Sequence, residues 1–189
     1  RQLYNHPSIA CWTPFNEGWG QFDAGEAVKL LRSLDTTRLV EEASGWFREV
    51  ASERFSVARP VIFSQTCRPG EAAAENPLLR LTAESPIGCV SIFGKSWRYQ
   101  AQRVLGTTAE ENLRMIRESV AYLKAAGKMV FFDAEHFFDG YSDDADYACT
   151  AVETAFAAGA DRVVLCDTNG GMLPDRIGVA VDGILARLP

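Results

Sequence analysis

Residues 128–141 of this chain read KMVFFDAEHFFDGY, an apolar run followed at once by polar residues. The run Met129–Phe132 is short and wholly apolar, which predicts a strand buried on both faces of a parallel sheet. Asp133, Glu135 and His136 follow where the run ends. In α/β folds the carboxyl ends of the strands open onto the ligand-binding face. The pattern therefore indicates a site at this strand end, although polar residues that only cap the next helix would form the same pattern.

The same pattern recurs along the chain, which strengthens the prediction of a site built at strand ends. Apolar runs end in polar residues in RVVLCDTNGG (162–171), CVSIFGKSW (89–97) and IACWTPFNE (9–17). Residues 38–44 and 60–66 fit the pattern more weakly, so that about six strands are predicted. The candidate site residues at these strand ends are Asn16, Glu17, Lys95, Asp133, Glu135, His136, Asp167, Thr168 and Asn169.

Helical periodicity separates several of these strands. Apolar residues at helical spacing predict helices at 25–34, 108–126 and 144–158, and another after Pro174. Shorter helices are predicted at 47–55 and 78–85. Thr108 and Glu111 form the capping-box pattern that marks a helix start. Strands alternating with helices at this spacing indicate βαβ units and a parallel sheet, and we expect residues 1–189 to form a single α/β domain.

The composition excludes several classes of partner. Of 189 residues, 47% are hydrophobic and 23% are charged, which is ordinary for a globular protein. The net charge of −6 argues against nucleic acid or an anionic membrane as partner. No apolar run approaches the ~20 residues of a membrane helix and no signal peptide is recognisable, so a cytoplasmic location is expected. Five cysteines without CxxC spacing indicate free thiols. A chain beginning at Arg1 is expected to be processed or a fragment.

The first part of the chain, residues 5–46, resembles the barrel domain of family 2 glycoside hydrolases. The resemblance lies in NHPSIACW (5–12), in the pair Asn16–Glu17 and in SLDTTRLVEEASGW (33–46). It implies that Glu17 is the general acid/base and that Asn16 contacts the sugar of a glycoside substrate. Such hydrolysis needs a second carboxylate as nucleophile, and no segment here matches the one that the family supplies.

Residues from about 47 to 187 resemble citramalate synthase, in the family that includes isopropylmalate and homocitrate synthases. The resemblance lies in FGKSW (93–97), TTAEENLRMIRESVAYLKAAGK (107–128), DAEHFFDGY (133–141) and LCDTNGGMLP (165–174). It implies a metal-dependent TIM barrel that condenses acetyl-CoA with a 2-oxo acid. Glu135, the candidate catalytic residue, and Thr168 would then face the 2-oxo acid. The same opening would be lined by His136, Asp167 and Asn169, with Asp133 and Lys95 near it.

The family's metal site is not matched by this sequence. The resemblance implies a divalent cation and acetyl-CoA, but the Arg-Asp-Gly segment and the His-x-His pair that hold the cation are absent, and only two histidines, His6 and His136, occur. A 2-oxo acid gains electrophilicity from a coordinated cation, so we predict no metal ligands in this chain and an incomplete catalyst. Gln100 and Cys67 replace two further positions of the family's pattern.

Three functions stay open at this point. The chain is a partial citramalate synthase-type acyltransferase, a glycosidase-like hydrolase using Glu17, or a non-catalytic barrel scaffold joined from two fragments, 1–46 and 47–189. Six strands fall short of the eight that close a TIM barrel, and open edges promote pairing with a second copy. We therefore expect a partial TIM barrel of parallel βα repeats, a small-molecule substrate and a possible homo-oligomer.

Overall fold

The computed structural model describes residues 11–12, 23–37, 39–40 and 59–188. The chain forms two compact units, Arg1–Ala58 and Arg59–Pro189.

In the first unit two short strands pair in parallel, β1 (Cys11–Trp12) and β2 (Leu39–Val40). Helix α1 (Ala24–Leu34) lies between them in sequence, which confirms the helix predicted at 25–34. It ends at Asp35, whose carboxylate accepts hydrogen bonds from the backbone N–H (2.9 Å) and the hydroxyl (2.7 Å) of Thr37. The predicted helix at 47–55 lies outside the described residues.

The second unit is a four-stranded sheet with helices between the strands. The strands are β3 (Val61–Gln65), β4 (Cys89–Lys95), β5 (Met129–Glu135) and β6 (Arg162–Leu165). The helices are α2 (Pro77–Glu84), α3 (Arg98–Arg103), α4 (Ala109–Ala125), α5 (Phe137–Asp143), α6 (Ala145–Ala157) and α7 (Pro174–Leu185), with a 3₁₀ turn at Ala73–Glu75. All strands are parallel and neighbours in space follow the order of the sequence, β3-β4-β5-β6, as in the wall of a partial TIM barrel.

One face of this sheet forms the core. Ile62, Val90 and Val130 pair in register across three strands and are fully buried. Phe132 occupies the next position of that face on β5 and is fully buried too. Helix α4 adds a buried stripe of apolar residues at helical spacing, Met115, Ile116, Val120 and Leu123. The helix predicted at 108–126 is thereby confirmed together with its buried face.

The opposite face of the sheet is much more open, and the prediction that the run 129–132 is buried on both faces was wrong. Met129 is 39% exposed and Phe63, on β3, is 60% exposed. Successive side chains of a strand point to opposite faces, so an apolar run is buried on both only where both faces are covered. Phe63 instead stacks on Phe93 of the neighbouring strand, with ring centroids 5.5 Å apart.

Polar caps fix where the helices begin. The Thr108 hydroxyl accepts the Glu111 N–H at 3.1 Å at the start of α4, as predicted. The Glu111 carboxylate accepts from the Gly70 N–H (2.7 Å) and from Arg114, so this side chain ties a neighbouring loop to the helix. Asp144 accepts the Tyr147 N–H at 3.0 Å at the start of α6, which confirms the helix predicted at 144–158, whereas the short helix α5 before it was not predicted.

No helix within the described residues is long and apolar enough to cross a bilayer.

In the sheet of the second unit, β3 and β6 are the outermost strands. The expected pairing of open edges between copies stays a prediction.

The two faces of the sheet predict different responses to the same substitution. Phe132→Ala removes a fully buried ring and is expected to lower the free energy of unfolding by about 3–5 kcal/mol. Phe63→Ala is the matched control, because a mostly exposed ring that stacks on Phe93 contributes at most about 1.5 kcal/mol. Guanidinium unfolding followed by circular dichroism measures both. Equal losses for the two variants would contradict the assignment of the buried face.

Candidate functional site at the carboxyl ends of β4, β5 and β6

The register of the sheet brings three strand ends together. Lys95, the last residue of β4, pairs with Glu135, the last residue of β5. The Ser96 N–H donates to the backbone carbonyl of Glu135 at 3.2 Å, and the Phe137 N–H donates to the carbonyl of Cys166 at 3.2 Å. The segments that follow β4, β5 and β6 therefore lie side by side, where the sequence predicted the site.

An ion pair lies at the centre of this edge. Lys95 Nζ lies 2.5 Å from Glu135 Oε2, and the two side chains are 13% and 26% exposed. The Ser96 hydroxyl donates to the backbone carbonyl of Glu135 at 2.8 Å. This hydrogen bond fixes the end of β5, from which the Glu135 carboxylate extends. Partial burial makes such a pair sensitive to the loss of either partner, because the remaining charge would stay poorly solvated.

Asn112 of helix α4 binds the backbone of Lys95 and so holds the end of β4 that carries the ion pair. The sequence analysis did not identify this residue. It is fully buried, and its Nδ2 donates to the Lys95 carbonyl at 2.7 Å and to the Tyr147 hydroxyl at 2.8 Å. Its Oδ1 has no hydrogen-bond partner among the described residues. Its position in the sequence could have identified it, because Asn112 lies four residues before Ile116 on the apolar stripe of α4. An amide buried at such a position needs polar partners.

His136 is fixed by groups from neighbouring strand ends. Its backbone is in the left-handed region, with φ 59°, and its N–H donates to Thr168 Oγ1 at 2.8 Å. Its Nδ1 lies 3.2 Å from Asp139 Oδ2, which also accepts from Asn169 Nδ2 at 3.0 Å. The structure thus brings His136, Thr168 and Asn169 together. Asp139 was missed, because nothing in its spacing distinguished it from a first-turn helix acid.

Trp97 packs beside this group. Its ring centroid lies 5.9 Å from that of His136, and its Nε1 donates to Asp143 at 2.9 Å. Gly140 makes this approach possible, because a Cβ on it would lie 2.6 Å from the carbonyl oxygen of Ser96 and 2.9 Å from Trp97 Cα. A glycine is therefore required where α5 meets the segment after β4.

Asp167 and Asp133 were also predicted as site residues, and neither contacts the ion pair or His136 through a hydrogen bond that the structure describes. Asp167 Oδ2 accepts the Met172 N–H at 3.0 Å, so this carboxylate stabilises its own loop. Asp133 lies two residues before Glu135 on the more open face of the sheet. Burial raises the pKa of its carboxyl, and a hydrogen bond with Ser91 partly offsets this rise. Asn16 and Glu17 lie outside the described residues.

Cys166 follows β6 beside these acids. Burial is the main reason that its pKa rises to about 11, and the charges of Asp133 and Glu135 raise it further. A thiol with this pKa is almost entirely protonated near neutral pH, so Cys166 is not a nucleophile under those conditions.

The ligand set for a divalent cation is not found in the described part of the chain. Within it, no three side chains of His, Cys, Asp or Glu are grouped to hold a metal ion. The cation that the resemblance implies therefore finds no fitting site among these residues.

Comparison with solved structures supports the fold. The chain is similar to the hydroxymethylglutaryl-CoA lyase of Bacillus subtilis, with a TM-score of 0.64 and 14% identity, over 96% of this chain and 65% of that one. The lyase of Pseudomonas aeruginosa gives a TM-score of 0.63 with 13% identity. Together with the parallel sheet and its alternating helices, these likenesses define a partial TIM barrel. No protein-family profile matches the chain.

Comparison with curated sequences gives a narrower similarity. The chain is 40% identical over 168 residues to (R)-citramalate synthase of Aquifex aeolicus, covering 82% of this chain and 31% of the relative. It is 46% identical over 132 residues to that of Streptomyces coelicolor, covering 70% and 25%. A homocitrate synthase of Saccharolobus solfataricus is 31% identical over 120 residues. The chain spans about a quarter to a third of the length of these relatives.

These similarities confirm the resemblance to citramalate synthase. They lend no support to the resemblance of residues 5–46 to glycoside hydrolases, which stays a prediction together with the join near residue 46.

The close packing around Gly140 predicts a large effect from one methyl group. Gly140→Ala is expected to lower the free energy of unfolding by about 1–3 kcal/mol, because the backbone of Ser96 and Trp97 must shift. Gly178→Ala, in open space on helix α7, is the control and should gain up to about 1 kcal/mol from helix propensity. Chemical denaturation of both variants measures this. A neutral Gly140→Ala would mean that the two segments are not in contact.

The surroundings of Cys166 predict its reactivity with pH. The rate of iodoacetamide labelling at Cys166, located by peptide mass spectrometry, should reach half of its maximum near pH 11. Asp133→Asn removes a neighbouring negative charge, which favours the thiolate, so the labelling curve should shift to lower pH. Asp182→Asn, an exposed helix substitution, should leave the curve in place. A half-maximum near the pH of an ordinary thiol in the unmodified chain would contradict the burial of Cys166.

Proposed function

We propose that this chain is the 2-oxo-acid-binding part of a barrel that condenses an acyl thioester with a 2-oxo acid, as in citramalate synthase. The observation that carries the proposal is the ion pair Lys95–Glu135 at the ligand end of the sheet, within a segment 40% identical to such a synthase. The alternatives of a glycoside hydrolase and of an inert scaffold have no comparable observation in their favour.

The chemistry of three side chains suits a small 2-oxo acid. Lys95 supplies an ammonium group, which attracts a carboxylate and has N–H donors beyond the one that Glu135 takes. The Thr168 hydroxyl accepts the His136 N–H, so its own proton is directed elsewhere and is available to a substrate oxygen. Glu135 holds the Lys95 side chain in place, and this limits the entropy that binding would otherwise cost.

The proposal assigns binding to this chain and does not assign it turnover. Polarisation of the 2-oxo group is the task of the divalent cation, and the described residues offer it no ligand set. The chain also spans less than a third of the Aquifex aeolicus synthase, so groups that contact acetyl-CoA are expected in the rest of such a barrel.

Calorimetric titration with pyruvate tests the proposed binding. We expect saturable heat for the unmodified chain, and binding at least about tenfold weaker for Lys95→Met, which corresponds to about 1.4 kcal/mol. Thr168→Val should also weaken binding, because the side chain keeps its shape but loses its hydroxyl donor. Lys124→Met is the control, since that lysine lies in the last turn of α4 and pairs with Asp161, which directly precedes the amino end of β6. Absence of heat at millimolar pyruvate would refute the proposal.

The proposal also holds that the chain alone does not catalyse the condensation. Release of free thiol from acetyl-CoA, in the presence of pyruvate and Mg²⁺ or Mn²⁺, tests this claim. The chain alone is expected to give no release above the background without protein. Steady turnover that disappears in Lys95→Met would show that the chain is a complete catalyst and would overturn the assignment of binding alone.

A further inference from the structure

The open face of the four-stranded sheet carries a continuous set of large apolar side chains. Alternate residues of each strand point to this face, and the register of the strands brings them side by side. Four of the six large apolar residues of the face are exposed and two are half-buried. They are Val61, Phe63, Phe93, Met129, Phe131 and Val164. Apolar side chains grouped in this way mark a surface that another polypeptide covers, whereas isolated exposed ones need no explanation.

The same sheet ends in two edges that are complementary to each other. In the sheet that the structure describes, β3 and β6 each have a neighbouring strand on one side only. All four strands are parallel, so the outer edges of β3 and β6 face in opposite directions. A parallel strand that continues the sheet beyond β6 must therefore present the edge that β3 presents. A second copy of this chain offers that edge.

The number of strands and the symmetry of closure favour two copies. A TIM barrel closes with eight parallel strands around layers of branched and apolar side chains. The sheet of the second unit has four strands, which is half of that number. A two-fold axis along the barrel would pair β6 of each copy with β3 of the other, so that both edges close at once and the assembly stops at a dimer. Closure also removes the exposed edges, which otherwise promote aggregation.

The charges on this face are compatible with burial of its middle. Lys95 and Glu135 neutralise each other at the carboxyl end, where a barrel stays open to solvent. Arg162 is the first residue of β6, so its long side chain can extend toward the opposite mouth. Burial raises the pKa of the Asp133 carboxyl, which favours its neutral form between these two levels.

We propose that two copies of this chain associate through the open faces of their second units and close one eight-stranded barrel between them. β6 of each copy pairs in parallel with β3 of the other, and the six apolar side chains of each face fill the shared interior. The segment after β3 of one copy then lies beside the segment after β6 of the other, which carries Thr168 and Asn169. Both copies thus border each group of strand ends. The inference rests on the exposed face and the two edges, and it does not rest on the proposed function.

Sedimentation velocity of the full chain tests the association with two variants matched in exposure. We expect the unmodified chain to form a dimer. Phe63→Glu places a charge in the shared interior and should weaken dimerisation about thirtyfold or more, as expected for a residue central to an interface. Val104→Glu changes a residue of the same 60% exposure at the end of α3, outside the face, and should leave the dimer intact.

Circular dichroism verifies that both variants are folded. A monomeric unmodified chain, an open series of larger oligomers, or equal weakening by the two substitutions would overturn the inference.

Photo-crosslinking tests the strand pairing itself and does not require that Phe63→Glu folds. Benzoylphenylalanine in place of Val164 should form links to residues 61–65 of the other copy. Mass spectrometry of an equal mixture of ¹⁴N- and ¹⁵N-labelled chains identifies the links between copies. Leu81 of α2 is the control position, because its exposure of 44% matches the 43% of Val164, and no link from it to residues 61–65 of the other copy is expected. A dimer in which position 164 links only to other segments would overturn the inference.

Discussion

The in-register pairing of β4 with β5 is the constraint on which the site depends. It places Lys95 opposite Glu135 and sets the segments after the two strands side by side. The side-chain period of a strand is two residues, so a slip of one residue would turn Phe132 away from the core and carry Glu135 away from the ion pair. Burial of the core residues and formation of the site are therefore enforced by the same register.

Polar contacts connect the core to this edge. Asn112 reaches from the buried face of α4 to the Lys95 carbonyl and to Tyr147, and Arg98 lies over the Tyr147 ring at 4.7 Å while pairing with Asp144. Asp144 in turn caps α6. The segment after β4 is thus held to helices on both sides, and a ligand would meet a largely preformed edge. Preformed edges bind small ligands with a lower entropic cost.

Most of the architecture was predictable from the sequence, because hydrophobic periodicity depends on local residue order. The strands at 61–65, 89–95 and 162–165 and the helix at 109–125 follow from their apolar spacing and from Thr108 at the cap. Helix α5 did not, since FFDGY has no periodicity long enough to indicate a helix, and its start requires a strained His136. The open face of the sheet was also missed, because burial on both sides depends on what covers each face.

The site was predictable in part for the same reason. Strand ends and motif residues identified Lys95, Glu135, His136, Thr168 and Asn169 as neighbours. The roles of Asn112 and Asp139 were not accessible, because the contacts of Asn112 with Lys95 and of Asp139 with Asn169 join segments that only folding brings together. Asp167 illustrates a contact that the sequence did not predict, since one oxygen of this strand-end carboxylate accepts the N–H of Met172 in its own loop.

The proposed function places a 2-oxo acid where β4, β5 and β6 end. Backbone amide chemical shifts of the ¹⁵N-labelled chain, recorded during titration with pyruvate, test it most directly. We expect the perturbed amides to cluster in residues 95–97, 135–139 and 166–169, with little change at the amino ends of the same strands. Perturbations concentrated elsewhere, or spread evenly over the sheet, would contradict it.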